Sequence, residues 1–70
     1  MTEDMPWLLN QMDHARSALA CFDFVAADRI RNALYASGVL FSWFAAELLG
    51  DEIARRRAEC RALEKMRAFA

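Results

Sequence analysis

Only three residues in this chain of 70 disfavour helix through their own backbone: Pro6, Gly38 and Gly50. Around them Ala, Leu, Arg, Glu and Met dominate, all good helix formers, and no segment alternates as a half-buried strand would. An all-α fold follows. Pro6 falls in the first turn of a helix capped by Asp4, where a missing N–H costs little. Gly38 lies near the middle and accepts the left-handed conformation that ends helices. It leaves two arms of similar length, each about 45–50 Å as helix. The expectation is one domain over residues 1–70, a helical hairpin turning near Gly38, with two hairpins pairing into a four-helix bundle. A three-helix unit broken at Asp23 and Gly38 is the alternative, because Asp23 is a plausible new N-cap although no Gly or Pro forces a break there.

Apolar periodicity assigns the inward faces. Met5, Leu8, Met12, Ala15, Leu19 and Phe22 recur at steps of three and four, a seam of coiled-coil type. Asp13, His14, Arg16 and Ser17 fall off it. In the next stretch Ala26, Ile30, Ala33 and Leu34 are expected inward. Segment 39–49, VLFSWFAAELL, has only Ser42 and Glu47 as polar members, and a helix apolar all round is expected to be buried on every side. Gly50 and Asp51 either stop one helix and cap another or sit inside one long helix. Residues 51–69 form a charged helix on which Ile53, Cys60, Leu63 and Met66 keep an apolar stripe. The expected hairpin or dimer core is Leu8, Met12, Leu19, Phe22, Ile30, Leu34, Ile53 and Leu63.

Charge and length exclude several classes. The net charge is −1, with a balance of −4 over residues 1–28 and +3 over 29–70. Such a molecule has no overall attraction for nucleic acid or an anionic membrane. The longest uncharged stretch, Asn32 to Ala46, is fifteen residues, short of the roughly 20 of a membrane span. The start is acidic and polar, unlike a secretory signal. Cys21 and Cys60 lack metal-ligand spacing and read as free, buried thiols of a reducing, cytoplasmic compartment.

Nothing resembles catalytic chemistry. His14 is the single histidine and lies beside Asp13 on the outward face of the first helix, without a cleft. Ser17, Ser37 and Ser42 have no nucleophile-elbow context. There is no phosphate loop and no cluster spaced for a metal, so neither cofactor nor metal is expected. Arg55, Arg56, Arg57, Arg61, Lys65 and Arg67 are interleaved with Glu52, Glu59 and Glu64, which argues for a solvated or protein-contacting face over phosphate binding. A helix-turn-helix reading of 24–49 would leave a recognition helix with no Arg, Lys, Asn or Gln to read bases.

The stretch DFVAADRIRNALYASGV, residues 23–39, resembles the C-terminal helical segment of cysteinyl-tRNA synthetases. Asp23, Phe24, Ala27, Asp28, Ile30, Arg31, Leu34, Gly38 and Val39 carry the likeness. It is similar, less closely, to the helical-hairpin UVR motif of nucleotide-excision repair proteins, from which Val25 and Asp28 depart. The resemblance implies a helix ending at Gly38; it covers no catalytic position. In length, helicity and surplus apolar surface the chain also resembles small phage proteins that bind and disable host regulators, such as quorum-sensing anti-activators.

With 57% of residues apolar or aromatic, a 70-residue monomer will struggle to hide its hydrophobic surface. The expected activity is therefore non-enzymatic protein binding: a homodimer that modulates a larger host protein, such as a transcription regulator, by covering its working surface. A dedicated chaperone or an assembly subunit is the second reading, a nucleic-acid binder the third. Candidate contact residues are Phe41, Trp43 and Phe44, for which bundle or dimer core is the leading reading and a partner hot spot the second, with Arg56, Arg57 and Arg61 on the basic helix. Trp7 and Phe69 would meet where a hairpin brings the chain ends together.

Overall fold

A computed structural model describes residues 4–69. It is all-α among these residues, with three helices: α1 (Asp4–Ala20), α2 (Phe24–Ala36) and α3 (Ser42–Phe69). The expected two-armed hairpin is thus corrected. The chain does reverse at Gly38, but the first arm also folds back on itself at Cys21–Asp23. The three-helix alternative, broken at Asp23 and Gly38, is the arrangement observed.

The first reversal needs no glycine. Asp23 N–H bonds to the Ala18 carbonyl at 2.8 Å and Phe22 N–H to that of Leu19 at 3.1 Å. This is the Schellman arrangement, which satisfies carbonyls otherwise orphaned at a helix end. Phe22 takes the left-handed position of the motif, with φ +58°. Asp23 then caps α2, its carboxylate accepting from Ala26 N–H at 3.1 Å. One cap ends α1 while the next residue starts α2, so a break occurs where composition demands none. The second reversal uses Gly38, at φ +69°. Through Gly50 α3 runs on unbroken, and Arg31 of α2 lies across that glycine.

Contacts along the helices fix their directions. Met5 shares a groove with Val39, Leu40 and Phe41, and Leu19 shares another with Glu52 and Arg56, so α1 runs parallel to α3. Tyr35 meets Glu47 and Asp28 meets Arg57, so α2 is antiparallel to both. The core is narrow: Leu8, Ala15 and Leu19 of α1, Ala27 and Leu34 of α2, and Ala45, Ala46, Leu49 and Ile53 of α3 are buried. Met12 and Ile30 pack on it half-buried.

Several inward assignments are corrected. Met5 is exposed at the start of α1, beside an open groove. Phe22 is 44% exposed, because the left-handed turn carries its ring off the seam. On α2, Ala27 is buried, Ala26 half-buried and Ala33 exposed, since Ala27 lies a helical repeat from Leu34. Leu63 is exposed because α3 outruns its neighbours. At 1.5 Å per residue α3 is about 42 Å long, against about 20 Å for α2. Its last bridge to α2 is at Arg57, Cys60 is still half-buried, and residues 61–68 are all exposed at the end of a molecule 53 Å long and 16 by 14 Å across. Segment 39–49 is the largest departure: small residues face inward and most of the large ones face outward.

Candidate functional site

At the turn into α3 two serines hold the backbone. Ser42 is 2% exposed; its hydroxyl donates to the Val39 carbonyl at 2.7 Å and accepts from the Ser37 hydroxyl at 2.8 Å. The Ser37 hydroxyl in turn accepts from Val39 N–H at 3.2 Å. With Ser42, Ala45, Ala46 and Leu49 turned to the core, the 100° step of the helix throws the aromatic residues out. Phe41, Trp43 and Phe44 are 61%, 62% and 60% exposed, and Leu40 and Leu48 are exposed beside them.

Two faces result. On one, Trp43 meets the Tyr35 ring edge-on, with centroids 6.1 Å apart. The Tyr35 hydroxyl donates to Glu47 at 2.7 Å, and this bond to a carboxylate raises the phenol's pKa above its ordinary value. On the other, Leu48 borders the seam between α1 and α3, with exposed Phe44 one helical turn before it. That seam is open: one groove of about 180 Å³ is lined by Met12, Leu19, Leu48 and Leu49, with Arg16 and Arg56 at its rim. A second, of about 260 Å³, lies at the apex between Met5 and Val39–Phe41.

Phe41 is unusual. Its φ is +68°, a left-handed conformation in which a bulky side chain is strained. An exposed phenyl ring returns little packing within the chain for a backbone cost of about 1–3 kcal/mol.

The basic residues divide. The Arg57 guanidinium bonds to Asp28 at 2.8 Å and lies 5.3 Å from the centroid of the Phe24 ring, so it ties α3 to α2 instead of standing free. Asp28 also pairs with Arg31 at 3.7 Å. Arg56 pairs with Glu52 and Glu59 along its own helix, and Arg55 with Glu52. Arg61 is exposed and has no ion-pair partner among the described residues. The six candidate residues therefore do not form one surface: Phe41, Trp43 and Phe44 cluster at one end of α3, and Arg61 lies on its projecting part. Exposed Tyr35 and Leu40 belong with the aromatic cluster, as Met5 and Leu9 do with the open seam. The seam periodicity placed Met5 inward and offered no signal for the others.

His14 and Asp13 are exposed on α1, as their spacing predicts, and no pocket adjoins them. Cys21 and Cys60 are free, but Cys21 is exposed where burial was expected. Trp7, half-buried on the core, stands near the apex end of the bundle; Phe69 belongs to the far end of α3, and its side chain lies outside the described residues. Among the described residues the start of α1 and the end of α3 lie at opposite ends of the molecule. Among the described residues no cluster could hold a metal, and no helix is long and apolar enough to cross a membrane. No protein-family model, curated protein or solved structure matches this chain.

Proposed function

We propose that this chain is a non-enzymatic protein-binding module whose contact surface is the apex of α3, with Phe41 and Trp43 at its centre and Phe44 at its edge. The observation that carries the reading is the inversion of segment 39–49: alanine and serine fill the core while three aromatic rings stand more than half exposed. Contiguous exposed apolar surface marks partner sites, and Trp with its aromatic neighbours dominates interface energies. The strained Phe41 backbone supports it, since that ring contributes little to the fold. The partner is a larger protein offering an apolar cleft, and the module acts by occupying it, as a small inhibitor of a regulator or cellular machine would. The ion-paired arginines argue against phosphate binding as the main activity, because Asp28, Glu52 and Glu59 already neutralise most of them.

A photo-crosslinking amino acid at Trp43, in lysate of the source organism, is expected to give a discrete heavier adduct that excess unlabelled protein competes away. The same group at exposed His14 is expected to give none. Equal labelling from both positions, or none from Trp43, would remove the reading.

A further inference from the structure

The projecting end of α3 presents a physical problem. About two helical turns with every residue exposed, as over 61–68, are marginal in water on their own. This end carries Leu63 and Met66, 54% and 68% exposed. Its apolar side continues only in part the one that packs in the bundle. Ala46, Leu49 and Ile53 define the core face, and continuing that face past Cys60 leads to Glu64 and Arg67. Of the apolar residues of the projection, Leu63 falls in line with buried Ala45 at the edge of that face, and Met66 lies about 120° from its centre. At 100° per residue, Met66 lies within about 40° of Phe44 and in line with Leu48, on the outer side of α3. This outer face is apolar at both ends, with Phe44 and Leu48 at one and Leu63 and Met66 at the other. Arg55 and Glu59 stand between.

We propose that this outer face pairs with the same face of a second copy, antiparallel, about a two-fold axis near residue 57. Position i then stands opposite position 114 − i. Leu48 meets Met66 of the second copy, and Arg55 meets its Glu59. The projecting arm of each copy lies over the open α1–α3 seam of the other, where Met12 and Leu48 line the groove. Parallel pairing would set Arg55 against Arg55 and Glu59 against Glu59; antiparallel pairing sets opposite charges together at the centre. A closed isologous contact of this kind satisfies both copies at once. A face about 42 Å long and about 10 Å wide supplies about 400 Å² per copy, and the flanking Met5, Leu9 and Met12 strip of α1 widens it toward the roughly 800 Å² per partner of a standard interface. Trp43 points away from this face toward α2, so the centre of the foreign contact proposed above stays open in the pair, and Phe44 at its edge is shared.

The test uses purified protein alone. Light scattering of the unaltered chain is expected to give twice its 8.0 kDa mass. In a Cys21→Ser/Cys60→Ser background, Leu48→Cys and Met66→Cys are made as separate chains; both positions are exposed, and circular dichroism checks that each chain stays helical. In the paired state the two introduced thiols of a Leu48→Cys dimer would lie about 27 Å apart, and those of a Met66→Cys dimer equally far. Under mild oxidation each chain alone is expected to stay monomeric on a denaturing gel, and a mixture of the two to give the cross-linked species. Self-cross-linking of either chain would show a parallel register and overturn the proposal. A monomer in light scattering, or a dimer whose mixture fails to cross-link, would overturn it as well.

Discussion

Replacing Ser42 with alanine tests the device that turns the aromatic residues outward. The hydroxyl is buried and makes two hydrogen bonds, at 2.7 and 2.8 Å. Each is worth about 0.5–1.5 kcal/mol net. Neither partner is orphaned by the change. The Val39 carbonyl keeps the Ser42 backbone N–H at 3.0 Å, and the Ser37 hydroxyl can turn to the Leu34 carbonyl at 3.0 Å. The lower half of the range therefore applies, about 1.5 kcal/mol for the two bonds together. Alanine's better helix propensity returns about 0.5 kcal/mol. The expected net loss is about 1 kcal/mol, a fall in Tm of about 4–8 °C for a domain of this size. Ser37→Ala is expected to cost about as much, because the Val39 N–H loses its acceptor. The double variant is expected to lose less than the sum by about 0.5–1 kcal/mol, the coupling between the two hydroxyls. Thermal melting followed by circular dichroism, at one fixed protein concentration, measures all three. Ser17→Ala, on the exposed face of α1, serves as the control and should cost nothing. An unchanged Tm for Ser42→Ala, or strictly additive losses, would refute the interlocked-serine account of the turn.

Gly50→Ala is expected to raise stability by about 0.5–1 kcal/mol in denaturant melts, since α3 is continuous there and the new Cβ would meet the flexible Arg31 side chain at an ordinary 3.6 Å. Gly38→Ala should cost about 1 kcal/mol by the same assay: nothing crowds the site, so its positive φ sets the whole penalty. A double-mutant cycle on Asp28 and Arg57, both partly solvated, should give a coupling of about 1 kcal/mol, and a value near zero would make the link decorative. For Tyr35 the folded pKa is raised, so the unfolded chain releases the phenolic proton first; the Tyr35–Glu47 contribution is complete below about pH 10 and is lost as pH rises through the folded value. Ultraviolet titration of tyrosinate should place its midpoint above 10, and Glu47→Gln should lower it.

The parts of this fold that were legible are those governed by local chemistry. Asp23 as a cap, Gly38 as a stop and Leu8, Leu19, Leu34 and Ile53 as core follow from residue type and helical period. The first reversal was ambiguous because a Schellman turn prefers glycine at the left-handed position and the chain has Phe22 there. Periodicity could not orient segment 39–49, since nearly every position in VLFSWFAAELL is apolar and all faces look alike. Packing distance decides it. Close approach of three helices around a narrow core admits Ala45, Ala46 and Ser42 and leaves no room for Trp43 or Phe44. The arginine contacts are legible only in part: Glu52 and Glu59 are visible partners at i,i+3 and i,i+4, but the Arg57 bridge to Asp28 spans 29 residues and only the fold brings it together.

One helix therefore does three different jobs along its length. Its first three turns present aromatic residues outward while small ones close the core. Its middle is held to α2 by Arg57 and Arg31, across Gly50. Its end has no helix beside it. The core stripe on α3 is buried as far as Ile53 and runs on through half-buried Cys60 to exposed Leu63 at its edge, whereas Met66 lies off it. A helix serving only its own bundle would lose its apolar side chains where the bundle stops. The shift of face at Met66 shows where its missing contact has to come from: not an extension of α1 or α2, which would cover Leu63, Glu64 and Arg67, but a surface approaching from the side of Phe44 and Leu48. The same change makes a prediction separable from the cross-linking. Met66→Glu, remote in sequence from every groove-lining residue, should leave the helices intact and convert the assembly to monomers in light scattering. Glu64→Ala, two residues away on the core-facing side, should leave the oligomeric state unchanged. If the two variants behaved alike, the face of the projecting helix would carry no meaning, and α3 would simply be longer than the bundle requires.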